Sequence, residues 1–571
     1  MLVNNYKHLM FTCLLALFGI TLLLAIRESF AGFFHLPWAG RQILPTILFL
    51  DGFLQTDFYT RASVESPYVL TAYLLQFSFS ENPQQLALEF SLAQALFNVI
   101  STSVTTVLVC FITLFIYQKL IGRKVSLTSF EGTILLSIIG IFLILGVSRF
   151  LPWIWPNSAG WSLPIFSLLN PLGLTWVMMC IITILILMIW DQQTRLPIEK
   201  KWNRTTFIFF SISCTLMALS SLLHPVTPLM AILTLGQLSL LEPKRFWQRF
   251  YQLFYLGLVW AGACIILVLM FDSGEISSNM LYEIYVQERH PHHYEPSFYA
   301  PSLLTLLPTF TLMICALVWL RKQSANKCSL FIIGFAALAI MPHLLQYIFA
   351  ELLRVDAAIK FGPSRLTMVF CLFGLAGFGL LLIQFLFFIN KKFMTFSIYH
   401  KVHNLFAATR EKNIVIFTCF LGVFCCFFWV YKNTLSNFEK AKETHIEYHL
   451  AGLLTEQDFD QYQLVNLSNE ILYSRELIQM PVYIDAYFPF SAKHMKEWSR
   501  RQKIVQQAKN CITLGLNKMD CLSHFDNEGS LLILTSDKVN ANSMKVNKEE
   551  RIPPLYLTKL HSKLNMNSLQ K

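Results

Sequence analysis

The sequence predicts an α-helical polytopic membrane protein of about eleven transmembrane helices, followed by a small C-terminal α/β domain outside the membrane. Three observations lead there. Of 571 residues, 55% are hydrophobic and only 14% are charged, with a mean hydropathy of +0.50, a balance foreign to ordinary soluble domains. Most apolar residues fall in runs near the roughly 20 residues that cross a bilayer core. After residue 430 the runs shorten to strand length and charged residues become frequent, as a water-facing domain requires.

Residues 9–26 form the first span. A cleaved signal peptide is the competing reading, but the Arg27-Glu28-Ser29-Phe30-Ala31 stretch lacks an A-x-A site, which favours an anchor that stays. Residues 27–89, rich in Phe, Trp and Tyr and too polar in places for lipid, form a large first outer loop. Further spans are expected at 93–117, 132–150, 172–190, 206–223, 226–241, 253–271, 303–320, 330–350, 367–388 and 414–430, completing a membrane domain over 1–430. Lys and Arg collect in alternate connections, at Arg123 and Lys124, at Arg195 to Arg204, at Lys244, Arg245 and Arg249, at Arg321 and Lys322, and at Lys391 to Lys412. Cytoplasmic loops carry that excess, so the N-terminus is placed in the cytoplasm and the tail, 431–571, on the outer side. The formal net charge of +11 is scattered over these loops rather than gathered into a stripe, which argues against nucleic acid as a partner.

The tail is long enough for a core of its own, with a helical lead-in at 438–450 and strand-like runs at 481–484 and 531–534. Most of the 13 cysteines sit in apolar runs, where Cys acts as a small hydrophobe. Only Cys511 and Cys521 lie in a polar segment, where an oxidising compartment would let them pair.

The span cores hold almost no Asp, Glu, Lys or Arg, and the ionisable residues gather at the expected outer ends. A polar relay through the bilayer would look different. Four groups are candidates. Asp51 and Asp57 in the first loop can act as a general base or bind a divalent cation. The local alternatives are a turn at Asp51-Gly52 and an i,i+4 pair of Asp57 with Arg61. Arg289-His290-Pro291-His292-His293-Tyr294 offers an Arg and three imidazoles for a phosphate; the competing reading is a solvated loop. Arg354, Lys360 and Arg365, with Asp356 among them and Pro342-His343 before them, run against the positive-inside bias, and either lipid-phosphate binding or ion pairing explains them. His224-Pro225 breaks the chain between two close spans, so freed carbonyls there need partners; His224 either lines a site or turns the chain.

The layout, with Thr56-Asp57-Phe58-Tyr59, Leu223-His224-Pro225, the Arg289 to Tyr294 stretch, Val482-Tyr483-Ile484-Asp485-Ala486-Tyr487-Phe488-Pro489-Phe490, Glu497-Trp498 and Arg500-Arg501, resembles the GT-C superfamily of polytopic glycosyltransferases. It is also similar to a family of bacterial multi-pass membrane proteins whose motifs carry no assigned chemistry. The GT-C resemblance implies inverting transfer of a sugar from a polyprenyl-phosphate-linked donor to a glycan, lipid or protein acceptor. That transfer would take place at the outer face of a bacterial inner membrane. It implies a first-loop carboxylate as base, Asp57 first and Asp51 second, with Arg61, Arg289, His290, His292, His293, His224, Arg354, Lys360 and Arg365 binding substrate or phosphate. The first loop has no D-x-D or E-x-D pair and the tail no W-W-D-like signature. A divalent cation, magnesium or manganese, is therefore optional, with Asp51 and Asp57 as its ligands. A transporter or flippase for lipid-linked glycans, or a non-catalytic scaffold of envelope assembly, are the alternatives.

Overall fold

The computed structural model describes mainly residues 38–122, 130–144, 169–195, 203–271, 276–289, 306–320, 325–393 and 446–560, with short interruptions. Along the chain the principal helices are α1 (Trp38–Leu50), α2 (Phe58–Val64), α3 (Tyr68–Gln76), α4 (Pro83–Ile121), α5 (Phe130–Ile144), α6 (Pro171–Arg195), α7 (Arg204–Leu223), α8 (Val226–Ser239), α9 (Phe246–Phe271), α10 (Leu306–Leu320), α11 (Ala325–Leu345), α12 (Asp356–Phe361), α13 (Thr367–Phe393), α14 (Ser474–Ile478) and α15 (Ala492–Thr513). Two π-helical segments, Tyr282–Arg289 and Gln346–Leu352, interrupt the regular pattern.

Among the described residues, six helices are long and apolar enough to cross a membrane: Leu88–Ile121, Pro171–Thr194, Arg204–Leu223, Pro243–Phe271, Ser329–Leu352 and Pro363–Phe388. Two expected spans are realised as shorter apolar helices, Val226–Ser239 and Thr309–Leu320. The expected span at 132–150 is represented by the 15-residue α5. Those at 9–26 and, for the most part, 414–430 lie outside the described residues. The protein is thus a mostly helical, multi-pass type of chain with a small C-terminal sheet.

The chain divides into two compact units. The first, holding residues 94–268 and 290–432, is the apolar bundle. Its local logic is legible at α7, where Asn203 and Thr206 close a capping box: Asn203 Oδ1 accepts from Thr206 N at 2.9 Å and Thr206 Oγ1 accepts from Asn203 N at 3.0 Å. The helix stops at His224, whose N–H donates to Ser220 O at 2.9 Å, because Pro225 cannot continue the ladder. The carbonyl of Pro225 is satisfied by Trp260 Nε1 at 2.7 Å. Helices α10 and α13 meet at close range. A Cβ at Gly377 would lie 2.9 Å from Met313 Cα, so a small residue sets their approach, as is common where helices pack in a membrane. Beside this contact Phe335 is stacked between Phe310 and Phe370, with centroids 5.7 and 4.4 Å away.

The second unit combines residues 32–93, 269–289 and 433–571. Its sheet has the order β1-β2-β4-β3, with β1 (Gln463–Asn466), β2 (Leu531–Thr535), β3 (Met544–Lys545) and β4 (Tyr556–Leu560). β1 and β2 are parallel, registered Gln463 with Leu531, and β4 runs antiparallel to both β2 and β3. A parallel pair needs a crossover, and α15 lies within it, burying Met495, Trp498, Val505 and Ala508. The apolar run at 531–534 is β2, buried throughout. The run at 481–484 makes only an isolated bridge, Val482 with Leu464. Of the helical lead-in, Ile446–Ala451 is helical and residues 438–445 lie outside the described residues.

Cys511 and Cys521 are bonded, with Cα atoms 5.5 Å apart. Closing so short a loop is worth about 2–3 kcal/mol in the chain-entropy picture. The double substitution Cys511→Ser, Cys521→Ser is expected to lower the melting temperature of the purified protein by several degrees. A reductant should reproduce that shift in the wild type and have no further effect on the variant.

Candidate functional site

In the second unit, the first-loop carboxylates have distinct environments. Asp57 immediately precedes α2 and acts as its N-cap: Oδ2 accepts from Thr60 N at 2.8 Å and from Thr60 Oγ1 at 2.5 Å. Oδ1 accepts from Val482 N at 2.9 Å, and Arg475 Nη1 stands 3.5 Å from Oδ2. Asp57 has no exposed surface and Arg475 only 2%. The expected local pairing with Arg61 is replaced by these contacts, and Arg61 is exposed. A general base must reach its substrate's proton within hydrogen-bond distance, and here both oxygens face the protein's own donors. Three donor groups and a guanidinium are also the wrong surroundings for a metal ion, whose ligands must be acceptors. The geometry therefore makes Asp57 the residue that fastens the first loop to the tail.

Asp51 is placed differently. It follows α1, with Gly52 at φ +93° completing the expected turn, a conformation glycine adopts without strain. Asp51 is half-buried, and its Oδ1 accepts from Gln76 Nε2 at 2.5 Å. Of the two carboxylates it is the one with surface to offer a substrate.

Around Asp57 the tail residues singled out in the sequence form one network. Arg501 lies over both Phe58 and Tyr483, 4.5 and 4.7 Å from the ring centroids, and donates to Tyr483 O at 3.0 Å. Phe58 also meets His494 edge-on at 5.4 Å. Arg500 bridges Glu497 and Glu528, and Tyr483 Oη donates to Glu528 at 2.8 Å. Hydrogen bonds from Arg500 are the main cause that pushes the Glu497 carboxyl down to about 2, with Arg501 adding to it, and Arg500 likewise lowers Glu528. A folded-state value below the unfolded one near 4.3 means the stabilisation is present above that pH and lost as pH falls toward 2. Acid titration of the melting temperature should therefore fall between about pH 4.5 and 2, less steeply in Glu497→Gln.

The bundle unit gathers a second set of candidates where α7 turns into α8. His224 Nδ1 is 3.1 Å from Thr227 Oγ1, and burial with the nearby Arg365 charge pushes the imidazole down to about 3, so it is neutral at physiological pH. The segment carrying Arg365 (Pro363–Leu366) packs against α8 and α11. Ser364 N donates to Gln346 Oε1 at 3.5 Å, and Thr367 Oγ1 is 3.1 Å from His343 Nε2. Gln346 is fully buried, with its Nε2 unpartnered among the described residues. Asp356 Oδ1 is also buried without a partner. Arg354, Lys360 and Arg365 are half-buried. The backbone is unusual here too: Gln346–Leu352 is π-helical and Arg354 has φ +51°, features that concentrate at functional sites. His224, Arg365, Gln346 and His343 are thus brought to one end of the bundle, and of these only Gln346 had no mark in the sequence.

His290, His292 and His293 lie outside the described residues, as does the side chain of Arg289; its backbone ends the first π-helical segment. Among the described residues no three His, Cys, Asp or Glu side chains gather as metal ligands. No family model matches the chain, and comparison with curated proteins finds no match.

Proposed function

We propose that the chain is an integral-membrane glycosyltransferase of the GT-C type, moving a sugar from a polyprenyl-phosphate-linked donor to an acceptor at the outer face of the membrane. The observation that carries this reading is Arg365 set near buried His224 at one end of an apolar bundle, with Arg354 and Lys360 on the stretch of chain just before it. Negative charge grows on the departing lipid phosphate, and cations fixed near it lower the barrier. Arg365, with Arg354 and Lys360, is assigned to that phosphate, and His224 with Gln346 Nε2 to its hydrogen bonding. Asp51 is assigned as the base toward the acceptor hydroxyl, while Asp57 holds the loop that carries Asp51. The Cys511–Cys521 bond supports an oxidising, outer location for the tail. Cytoplasmic placement of the N-terminus and the eleven-span count remain part of the same proposal.

Release of polyprenyl phosphate from a panel of synthetic polyprenyl-phosphate sugars, in proteoliposomes of the full chain, tests this. Arg365→Met is expected to reduce turnover on the order of 100- to 1000-fold in protein that still shows a cooperative melting transition. Absence of turnover on every donor, or a fully active Arg365→Met, would reject the assignment.

A further inference from the structure

A second polar cluster lies at the end of α8 remote from His224, along the seam between α6 and α9. Arg249 is only 2% exposed although it falls among cations the sequence places in a loop. Its guanidinium lies 4.2 Å from the centroid of Trp190 and 5.6 Å from that of Phe115. Its Nη2 pairs with Glu242, which also pairs with Lys119. Next along the seam, Trp190 Nε1 donates to Gln252 Oε1 at 2.6 Å. One turn away, Gln193 Oε1 accepts from Gln248 Nε2 at 3.2 Å, and the Gln193 carbonyl accepts from Arg245 Nη1 at 3.3 Å.

Three N–H donors are left over: Arg249 Nη1, Gln252 Nε2 and Gln193 Nε2 are all buried and unpartnered among the described residues. Gln193 and Gln252 are each 3% exposed. Buried donors without acceptors bear the full cost of desolvation, so Arg249 and Gln252, about one turn apart on α9, with Gln193 against Gln248 beside them, call for an acceptor-rich guest. Lys119 and Arg249 both pair with Glu242, which leaves one net positive charge among the three. Both α6 and α9 belong to helices long enough to cross a bilayer, and the seam lies at their ends, at the depth of lipid headgroups.

We propose that this seam binds a phosphate-type oxyanion, held by Arg249, Gln252 and Gln193. The phosphate comes from a lipid headgroup or from solution, and the site is independent of the sugar-transfer reading.

Full-length protein in detergent provides the test. One arm follows the melting temperature against inorganic phosphate, with chloride at matched ionic strength as control. The other looks for a co-purified phospholipid by native mass spectrometry. Gln252→Glu keeps the acceptor for Trp190 Nε1 but replaces the Nε2 donor by an anionic oxygen. In the wild type, a phosphate-dependent rise identifies a free ion and a retained phospholipid mass identifies a headgroup. Either signal should weaken at least tenfold in Gln252→Glu. Gln193→Glu, at the other end of the seam, gives the same reading if the first variant does not fold. If the wild type binds neither, the donors hold water only and the proposal is wrong. Binding that survives both substitutions overturns it equally, as does a Gln252→Glu protein made more stable by a new pair with Arg249.

Discussion

Asp57→Ala is expected to lower the stability of the loop-and-tail unit by about 3–5 kcal/mol, the usual cost of removing one partner from a buried ion pair. In a unit of this size that is a drop on the order of 10 °C in melting temperature. Without the carboxylate, Arg475 keeps a buried charge with its Asp57 contact removed, and the amides of Thr60 and Val482 lose their acceptor. Asp57→Asn should fall between wild type and alanine, because its single oxygen serves Val482 N or Thr60 N but its amide group opposes Arg475. The double variant Asp57→Ala, Arg475→Met should recover much of the loss, since replacing both charged members of the pair removes the buried charge along with the contact it made to Asp57. Differential scanning calorimetry with limited proteolysis of the tail measures all three. If the proposed sugar transfer recovers in Asp57→Asn at low temperature in step with folding, Asp57 is a fastening; a fully folded Asp57→Asn without that proposed activity would return it to the chemistry.

On the proposed function, Asp51→Asn is expected to reduce the proposed sugar transfer by about 100- to 10,000-fold, the range for loss of a general base, with little change in stability. The structural part of its environment survives the substitution, because the Asn carbonyl can still accept from Gln76 Nε2. Gly52 still supplies the turn. Steady-state turnover on a saturating donor should fall while donor binding is retained. Wild-type turnover in Asp51→Asn would remove the first loop from proton transfer and leave the bundle-end cations as the only assigned chemistry.

What was legible in the sequence is what short-range physics determines. Pro225, read as a break between two close spans, marks the end of α7, while the capping box of Asn203 and Thr206 that starts it was not read. The run Leu531-Leu532-Ile533-Leu534 reads as a strand and becomes the buried centre of the sheet. Cys511 and Cys521 stand out as polar-segment cysteines, and they are joined. Asp57 was singled out as the first-choice base, with a pair to Arg61 as the local alternative, and its contacts are those of neither. The i,i+4 position of Arg61 suggested a pair, whereas an Asp with a Thr three residues on is a capping signal. Its remaining partners, Arg475 and Val482, lie more than 400 residues away, beyond any local pattern. Arg249 was read as a loop cation because charge is expensive in apolar surroundings. The aromatic faces of Trp190 and Phe115, with Glu242, change that balance, and their convergence is a property of packing. The π-helical stretch at Gln346–Leu352 has no spacing rule that would have flagged it.

The second unit is assembled from residues 32–93, 269–289 and 433–571, and this order sets a timetable for biogenesis. Ribosomes add roughly 5–20 residues per second, and 340 residues separate the end of the first segment at 93 from the start of the last at 433. The loop carrying Asp57 therefore waits on the order of 20–85 s for Arg475 and Val482, more than 400 residues on, to be made. During that interval the carboxylate that will be sealed beneath Val482 and Arg475 is hydrated, and the apolar face of α1 lacks the α14 cover. A nascent chain held at residue 432 should expose Asp57's neighbourhood to proteases that the finished protein resists.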